Sequence, residues 1–357
     1  MRLSCQSVES LARDRLTRPL FEFIAGGADD ESTVRANART WSTFEVLPRV
    51  LVDVSSVGTS SAVLGQPVNV PLIISPMGSH RRVHDEGEQA TAAVARDLGA
   101  VFVLSVAGFC SIEEIGAVGG SLWLQLYWLS DREVLSDLIR RAEQAGFSAI
   151  CLTVDSPQPG LRLRDKRNAF TDPPFMKYGS LEQYGDALVT KQPGKPFYFP
   201  SLVDRSITWA DLEWLLGVTR LPIVLKGIVR PDDALQAAKV GAKGVFVSNH
   251  GGRQLGRIQP TAVALREIAA ICPNDMELYV DGGVRSGLDM FVALALGARA
   301  VGIGRPILYA LGCLGKEGLA ELLSNLQEDL ARTMTLCGTA SLSDVGPANL
   351  TQREYGR

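Results

Sequence analysis

Gly244-Val245-Phe246-Val247-Ser248-Asn249-His250-Gly251-Gly252-Arg253-Gln254 opens on a short apolar run and turns abruptly to polar and glycine residues. The run reads as a buried strand, and the polar segment as what that strand carries at its end. The same pattern recurs along the chain. Apolar runs of four to six residues stand at 71–76, 101–105, 122–127, 149–155, 222–228, 244–250, 277–283 and 300–306, with helical stretches between them. Continuous apolar strands alternating with helices imply a parallel sheet covered on its outer face. Eight such units predict a closed (β/α)8 barrel.

The intervening helices carry their own signals. Ser130-Asp131-Arg132-Glu133 reads as a capping box with Ser130 at the N-cap, ahead of Val134, Leu135, Leu138 and Ile139, and that helix stops near Gly146. Pro231 with Asp232 and Asp233 starts another, which Gly241 ends. Residues 1–70 are expected to form N-terminal helices, interrupted at Gly26-Gly27, and a hairpin plugging one end of the barrel. Residues 71–357 then form the barrel, within one structural domain. An insert at about 171–204, broken by Pro173-Pro174, Gly194-Lys195-Pro196 and Pro200, is expected to be a mobile lid or flexible loop. Removing both leaves about 250 residues, the usual barrel length.

Composition excludes several function classes. A net charge of −3 exerts no pull toward nucleic acid or anionic lipid, and no basic cluster interleaves with aromatics. No run approaches the roughly 18–20 apolar residues of a membrane span, and the N-terminus lacks the apolar stretch of a signal peptide. The six cysteines have no paired spacing, so neither a disulfide framework nor a metal site is expected, and a reducing cytoplasm is the expected location. Cys151 and Cys313 lie in apolar runs and read as small core residues.

In a barrel of this kind the functional groups come from the C-terminal strand ends. Those ends supply Pro76-Met77-Gly78, Ser105, Gln125 and Tyr127, Thr153 and Asp155, Lys226, Ser248, His250 and Arg253, Asp281 and Arg285, and Gly304-Arg305. A strand that ends in a polar or charged residue is ordinary, whereas nearly every strand ending so points to a site. His250 can take a proton near neutral pH, and the guanidinium of Arg253 fits a carboxylate in two parallel hydrogen bonds. Glycines beside Arg285 and Arg305 open helices after the last two strands, where backbone N–H groups of this fold bind phosphate. Together these suit a small acid with a removable proton beside a phosphorylated cofactor.

On these motifs the chain resembles the FMN-dependent 2-hydroxy-acid oxidase and dehydrogenase family, which includes glycolate and lactate oxidases and mandelate dehydrogenase. The resemblance runs from about residue 20 to 342 and is most specific at Ser248–Leu255, with Thr153-Val154-Asp155, Leu225-Lys226-Gly227 and 281–285 in the family's order. It implies FMN across the barrel mouth. Pro76, Met77, Gly78, Ser105, Gln125 and Thr153 would meet the ring, with Lys226 at its N1/O2 edge. Ser248 counts among the cofactor residues, Asp281 would hold the ribityl chain, and Gly283, Arg285, Gly304 and Arg305 would hold the phosphate. Arg162 and Arg253 would clamp the substrate carboxylate, His250 would be the base, Asp155 its partner, and Tyr127 a hydroxyl contact. The expected reaction oxidises an L-2-hydroxy acid to the 2-keto acid, by hydride transfer to flavin N5 or through a carbanion, with oxygen or another acceptor taking the electrons. A homo-oligomer, tetramer or octamer, is also implied.

Four positions depart from the family's pattern. Phe23 stands where many relatives carry a tyrosine that bonds the substrate carboxylate, a loss on the order of 1 kcal/mol. Ala107 replaces a bulky tryptophan and Gly78 a small non-glycine residue, which predicts room for an acid larger than glycolate, such as an aryl acid resembling mandelate. Gly256 stands where an aspartate is usual, with no consequence attached. His80 and His84, after the first strand, are read as structural. The alternatives are a flavin barrel acting on a specialised biosynthetic intermediate and a degenerate flavin-binding scaffold.

Overall fold

The computed structural model describes residues 2–170, 177–184 and 202–352. Eight strands, β1 (Leu72–Ile74), β2 (Val101–Ser105), β3 (Ser121–Tyr127), β4 (Ala149–Thr153), β5 (Ile223–Ile228), β6 (Gly244–Val247), β7 (Glu277–Val280) and β8 (Ala300–Ile303), pair in chain order. All the pairings are parallel and β8 returns to β1, so the barrel closes. The eight runs read from the sequence are these eight strands.

Period-two alternation sorts their side chains. Ile73, Val101, Val103, Trp123, Cys151, Val224, Phe246 and Tyr279 fill the interior, while Leu72, Phe102, Leu124, Ile150, Leu225, Val245 and Leu278 pack outward with the helices. Both sets are apolar because both faces of every strand are covered, which is why the runs are continuous rather than alternating. Cys313 lies only partly buried against the outer core.

The hairpin of strands Ser61–Val63 and Gln66–Val68 closes the floor, with Val63 and Val68 packed on the interior residues. Three helices precede it: α1 (Cys5–Arg15), α2 (Arg18–Ala25) and α3 (Ser32–Thr40). Ser4 caps α1 by accepting from Ser7 N at 3.1 Å. A two-stranded ribbon pairs Phe44–Val46 with Leu350–Gln352, tying the two ends of the chain together.

One helix start differs from the expectation. Asp131, not Ser130, is the N-cap of the helix Arg132–Gln144, accepting from Glu133 N and Val134 N at 3.0 and 3.1 Å. Ser130 is drawn off because its N–H donates to Leu202 O, where the chain returning from the insert lies beside residues 128–130. Of the insert expected at 171–204, residues 171–176 and 185–201 lie outside the described residues. The short turn Gly179–Tyr184 is anchored by Arg141, which donates to Ser180 O at 2.7 Å and pairs with Glu113. No helix among the described residues is long and apolar enough to cross a membrane.

Candidate active site

Above the apolar interior the inward positions become polar: Ser75, Ser105, Gln125, Thr153, Lys226, Ser248 and Asp281, all buried. Buried polar groups must be paired, and these pair with one another. Ser105 Oγ donates to Gln125 Oε1 at 2.6 Å, and Gln125 Nε2 donates to Thr153 Oγ1 at 2.9 Å. Across the barrel, Lys226 Nζ donates to Ser248 Oγ at 2.9 Å and lies 3.4 Å from Asp281. Asp281 accepts from Ser248 Oγ at 2.6 Å and from Ser75 Oγ at 3.2 Å. Burial works against the Lys226 charge, but the carboxylates of Asp281 and Asp155 outweigh it and raise its pKa, so a fixed cation stands in the ring. The eighth inward position is Gly302, where a Cβ would lie 2.6 Å from Ser75 Oγ and 2.9 Å from the Asp281 Cβ. Only glycine lets those two side chains meet.

His250 leaves the end of β6 with φ of +57°, a conformation that in a non-glycine residue is strained by roughly 1–3 kcal/mol. Its Nδ1 lies 2.9 Å from Asp155 Oδ1. That contact commits Nδ1 and leaves Nε2 as the nitrogen able to exchange a proton. Burial opposes ionisation of Asp155, yet His250, Lys226 and the hydrogen bond from Ser156 hold its carboxyl below the usual range. Asp155 approaches closely because Gly227, at φ +107°, has no Cβ: one there would lie 2.5 Å from the Asp155 Cβ. Ser156 and Gln254 complete the network, with Gln254 Nε2 donating to Ser156 Oγ and Gln254 Oε1 accepting from Gly160 N at 2.8 Å. Tyr127 ends β3, and burial pushes its phenol up to about 12, so it remains a neutral hydroxyl.

The arginines are placed less simply than their sequence positions imply. Arg253 Nη1 donates to Phe23 O at 2.8 Å and Gly26 O at 2.9 Å, at the C-terminal end of α2. Arg305 shares the Gly26 carbonyl, through Nη2, and also donates from Nε to Ile24 O and from Nη2 to Gly251 O. Both side chains therefore fasten the N-terminal segment to the barrel mouth as well as bringing charge to it; helix C-terminal carbonyls favour cations. Arg162 sits at the start of the helix Leu163–Arg167, 3.8 Å from Asp165. The Phe23 ring stacks on Phe170 at 4.3 Å, beneath the guanidinium of Arg82 at 4.5 Å.

One cavity at the barrel mouth, with about 1520 Å³ of empty space including its open end, gathers these groups. Its wall includes Phe23, the 76–78 segment, Ser105, Ala107, Tyr127, Arg162, Lys226, His250 and Arg253. Asp281, Gly283, Arg285, Gly304 and Arg305 line it as well. Gln125, Thr153, Ser248 and Asp155 are not among the residues that line it; each is hydrogen-bonded to one of its neighbours in the network above. The residue set fits a flavin mononucleotide: a hydrogen-bonding ring for the polar edge, the buried Lys226 cation, and two arginines beside the glycines where a phosphate would lie. Arg82 and Ser156 also line the cavity and were not singled out from the sequence. Neither belongs to a periodic pattern or to a quoted motif, whereas Gln254, which also lines the cavity, lies inside one.

Two departures acquire physical reasons. A Cβ on Gly78 would lie 2.3 Å from Ala107 O, so this glycine makes room for the neighbouring loop rather than for substrate. Ala107 does line the cavity. Gly256 N donates to Asp29 Oδ2 at 2.8 Å, and a Cβ there would fall 2.6 Å from that oxygen. An aspartate at 256 would set carboxylate against carboxylate.

Comparison with known proteins agrees with this geometry. The family model described as FMN-dependent dehydrogenase matches residues 12–352. An L-lactate oxidase of Nostoc sp. is 42% identical over 94% of each chain. Glycolate oxidase 1 of Oryza sativa subsp. indica is 39% identical, over 96% of this chain and 94% of its own. A crystal structure of mandelate oxidase superposes with a TM-score of 0.89 at 39% identity, covering 99% of both chains. Another, of mandelate oxidase with (S)-4-hydroxymandelic acid, gives 0.90 at 39% identity over 98% of both.

Proposed function

The chain belongs to the FMN-dependent dehydrogenase family, and from that premise we propose that it oxidises an L-2-hydroxy acid bulkier than glycolate, of the mandelate-like aryl type, to the 2-keto acid. The observation that carries this reading is the His250–Asp155 contact at 2.9 Å in the cavity that Arg162 and Arg253 also line. FMN, when bound, supplies the acceptor for the two electrons removed from C2.

The chain's own residues do the rest. The guanidinium groups of Arg162 and Arg253 hold the substrate carboxylate and fix the orientation of C2. His250 Nε2 takes a proton, from the C2 hydroxyl on the hydride route or from C2 on the carbanion route. Asp155 stabilises the resulting imidazolium and keeps the ring in register. The neutral hydroxyl of Tyr127 donates to the substrate oxygen. Lys226 provides a fixed cation near developing negative charge, and Asp281 and Ser248 keep that ammonium in place. Arg285, Arg305 and the glycines at 283 and 304 hold the phosphate.

Ala107 and Phe23 support a bulky substrate, since both present small or apolar surface to the cavity. The mandelate oxidase likeness supports the aryl class. The six unpaired cysteines accord with a reducing cytoplasm, and the family resemblance with a homo-oligomer re-oxidised by oxygen or another acceptor. The test is anaerobic mixing of the yellow holoenzyme with mandelate, lactate and glycolate. Flavin absorbance is expected to bleach fastest with mandelate, and His250→Ala to retain FMN but lose the bleaching. Near-normal reduction of that variant would refute the role of His250, and faster bleaching by glycolate would refute the substrate class.

A further inference from the structure

We propose that Asn37, in helix α3, is a positioning residue for His250, acting through Asn249. The two amides bond reciprocally: Asn37 Nδ2 donates to Asn249 Oδ1 and Asn249 Nδ2 to Asn37 Oδ1, both at 2.8 Å. Each residue is only 2% exposed, and the pairing supplies both donor and acceptor where water is excluded. Asn249 uses its remaining capacity on the turn that follows it. Its Oδ1 also accepts from Gly252 N at 3.1 Å, and its Nδ2 also donates to Gln259 O at 3.1 Å. One side chain thus spans the turn that carries His250 and Arg253, and Asn37 holds that side chain.

His250 needs such a hold. Its φ of +57° persists only if the surroundings over-determine it. The segment leading into and through α3 grips the outside of the turn at further points. Ala28 N donates to Gly252 O at 2.8 Å, and Ile258 N donates to Thr33 Oγ1 at 3.2 Å. A Cβ on Gly252 would lie 2.8 Å from Val34 N, so the contact is backbone to backbone. The same helix and the residue that follows it touch the glycines after β7. A Cβ on Gly283 would lie 2.3 Å from Asn37 O, and Trp41 Nε1 donates to Gly282 O at 2.9 Å. Asn37 therefore stands between the turn bearing the base and the loop beside Arg285, while lining no part of the cavity itself. Relaxation of His250 toward negative φ would swing the imidazole away from Asp155, and the buried amide pair opposes that relaxation.

The inference rests on His250 being the base, so its test includes that residue. Holoenzyme carrying Asn37→Ala, His250→Asn or both is mixed anaerobically with whichever of mandelate, lactate and glycolate reduces the wild type fastest. For Asn37→Ala, FMN content and binding of the 2-keto acid are expected within about threefold of wild type, and flavin reduction slowed by roughly tenfold or more. Added to His250→Asn, the same change is expected to slow the residual rate by less than about threefold, because residues acting as a unit are not additive. A reduction rate within threefold of wild type, or an equal loss in both backgrounds, overturns the proposal and leaves Asn37 a structural residue. If Asn37→Ala yields no folded protein, Asn37→Asp, which keeps the size but sets an oxygen against Asn249 Oδ1, is judged by the same thresholds. Wild-type reduction in His250→Asn alone overturns instead the assignment of the base.

Discussion

Replacing Asp155 by asparagine removes one charge and little else. The amide oxygen can still accept from His250 Nδ1–H, so the 2.9 Å contact and the ring orientation survive. What is lost is attraction between a carboxylate and the imidazolium that forms as the base takes its proton. Two unit charges at that separation attract by roughly 6 kcal/mol at an effective dielectric of about 20. The side chains retain 25% and 12% exposure, so solvent screens part of this. The net worth of a hydrogen bond to a charged group, roughly 1.5–3 kcal/mol, is the better range. If the full difference is felt in the transition state, flavin reduction slows by about 10- to 150-fold. Stopped-flow absorbance of Asp155→Asn holoenzyme under anaerobic, substrate-saturating conditions reads this rate directly, with FMN content as the control. Reduction within about threefold of wild type, with FMN retained, would refute an electrostatic role for Asp155.

Three other outcomes are expected. Lys226→Met leaves Asp281 buried with, among the described residues, the Ser75 and Ser248 hydroxyls as its side-chain donors, a loss near the lower end of the range for a broken buried pair, about 3 kcal/mol; thermal melting of the holoenzyme should fall by roughly 4 °C. In Ala107→Trp the indole must enter the cavity, because a Cβ on Gly78 would already lie 3.3 Å from the Ala107 Cβ and the loops on that side are in contact; the ratio of mandelate to glycolate kcat/KM should drop by about tenfold or more. His80 is buried, with Nδ1 2.9 Å from Thr91 Oγ1, and burial lowers its pKa despite Glu88 nearby. Its neutral form is favoured in the folded state, so its contribution to stability is complete above about pH 6.5 and is lost as pH falls below that. Between pH 7 and 5, wild type should therefore lose more melting temperature than His80→Gln; equal losses would remove His80 from the acid response.

The barrel was legible because each strand is covered on both faces, and burial on both faces demands an unbroken apolar run. Its polar ring was legible for a related reason. Inward positions recur every second residue, so Cys151 to Thr153, Val224 to Lys226 and Phe246 to Ser248 each step from the packed interior to the mouth. The insert's anchoring through Arg141 and the capping of residues 132–144 by Asp131 were not legible, since each depends on a contact from another part of the chain. Gly78 carried an expectation of substrate room that the Ala107 carbonyl removes.

The sequence by itself determined the eight-stranded barrel, the choice of residues at its mouth and the chemistry those residue types permit, because periodicity and residue identity are local properties. Only the tertiary structure decided how these groups are held. Arg253 reaches Phe23 across 230 positions, Asn249 reaches Asn37 across 212, and Gly256 is dictated by Asp29 across 227. Hydrogen bonds and close approaches over such separations leave no repeat in the chain, because they come into being only when the closed barrel brings the N-terminal segment against its sixth strand end.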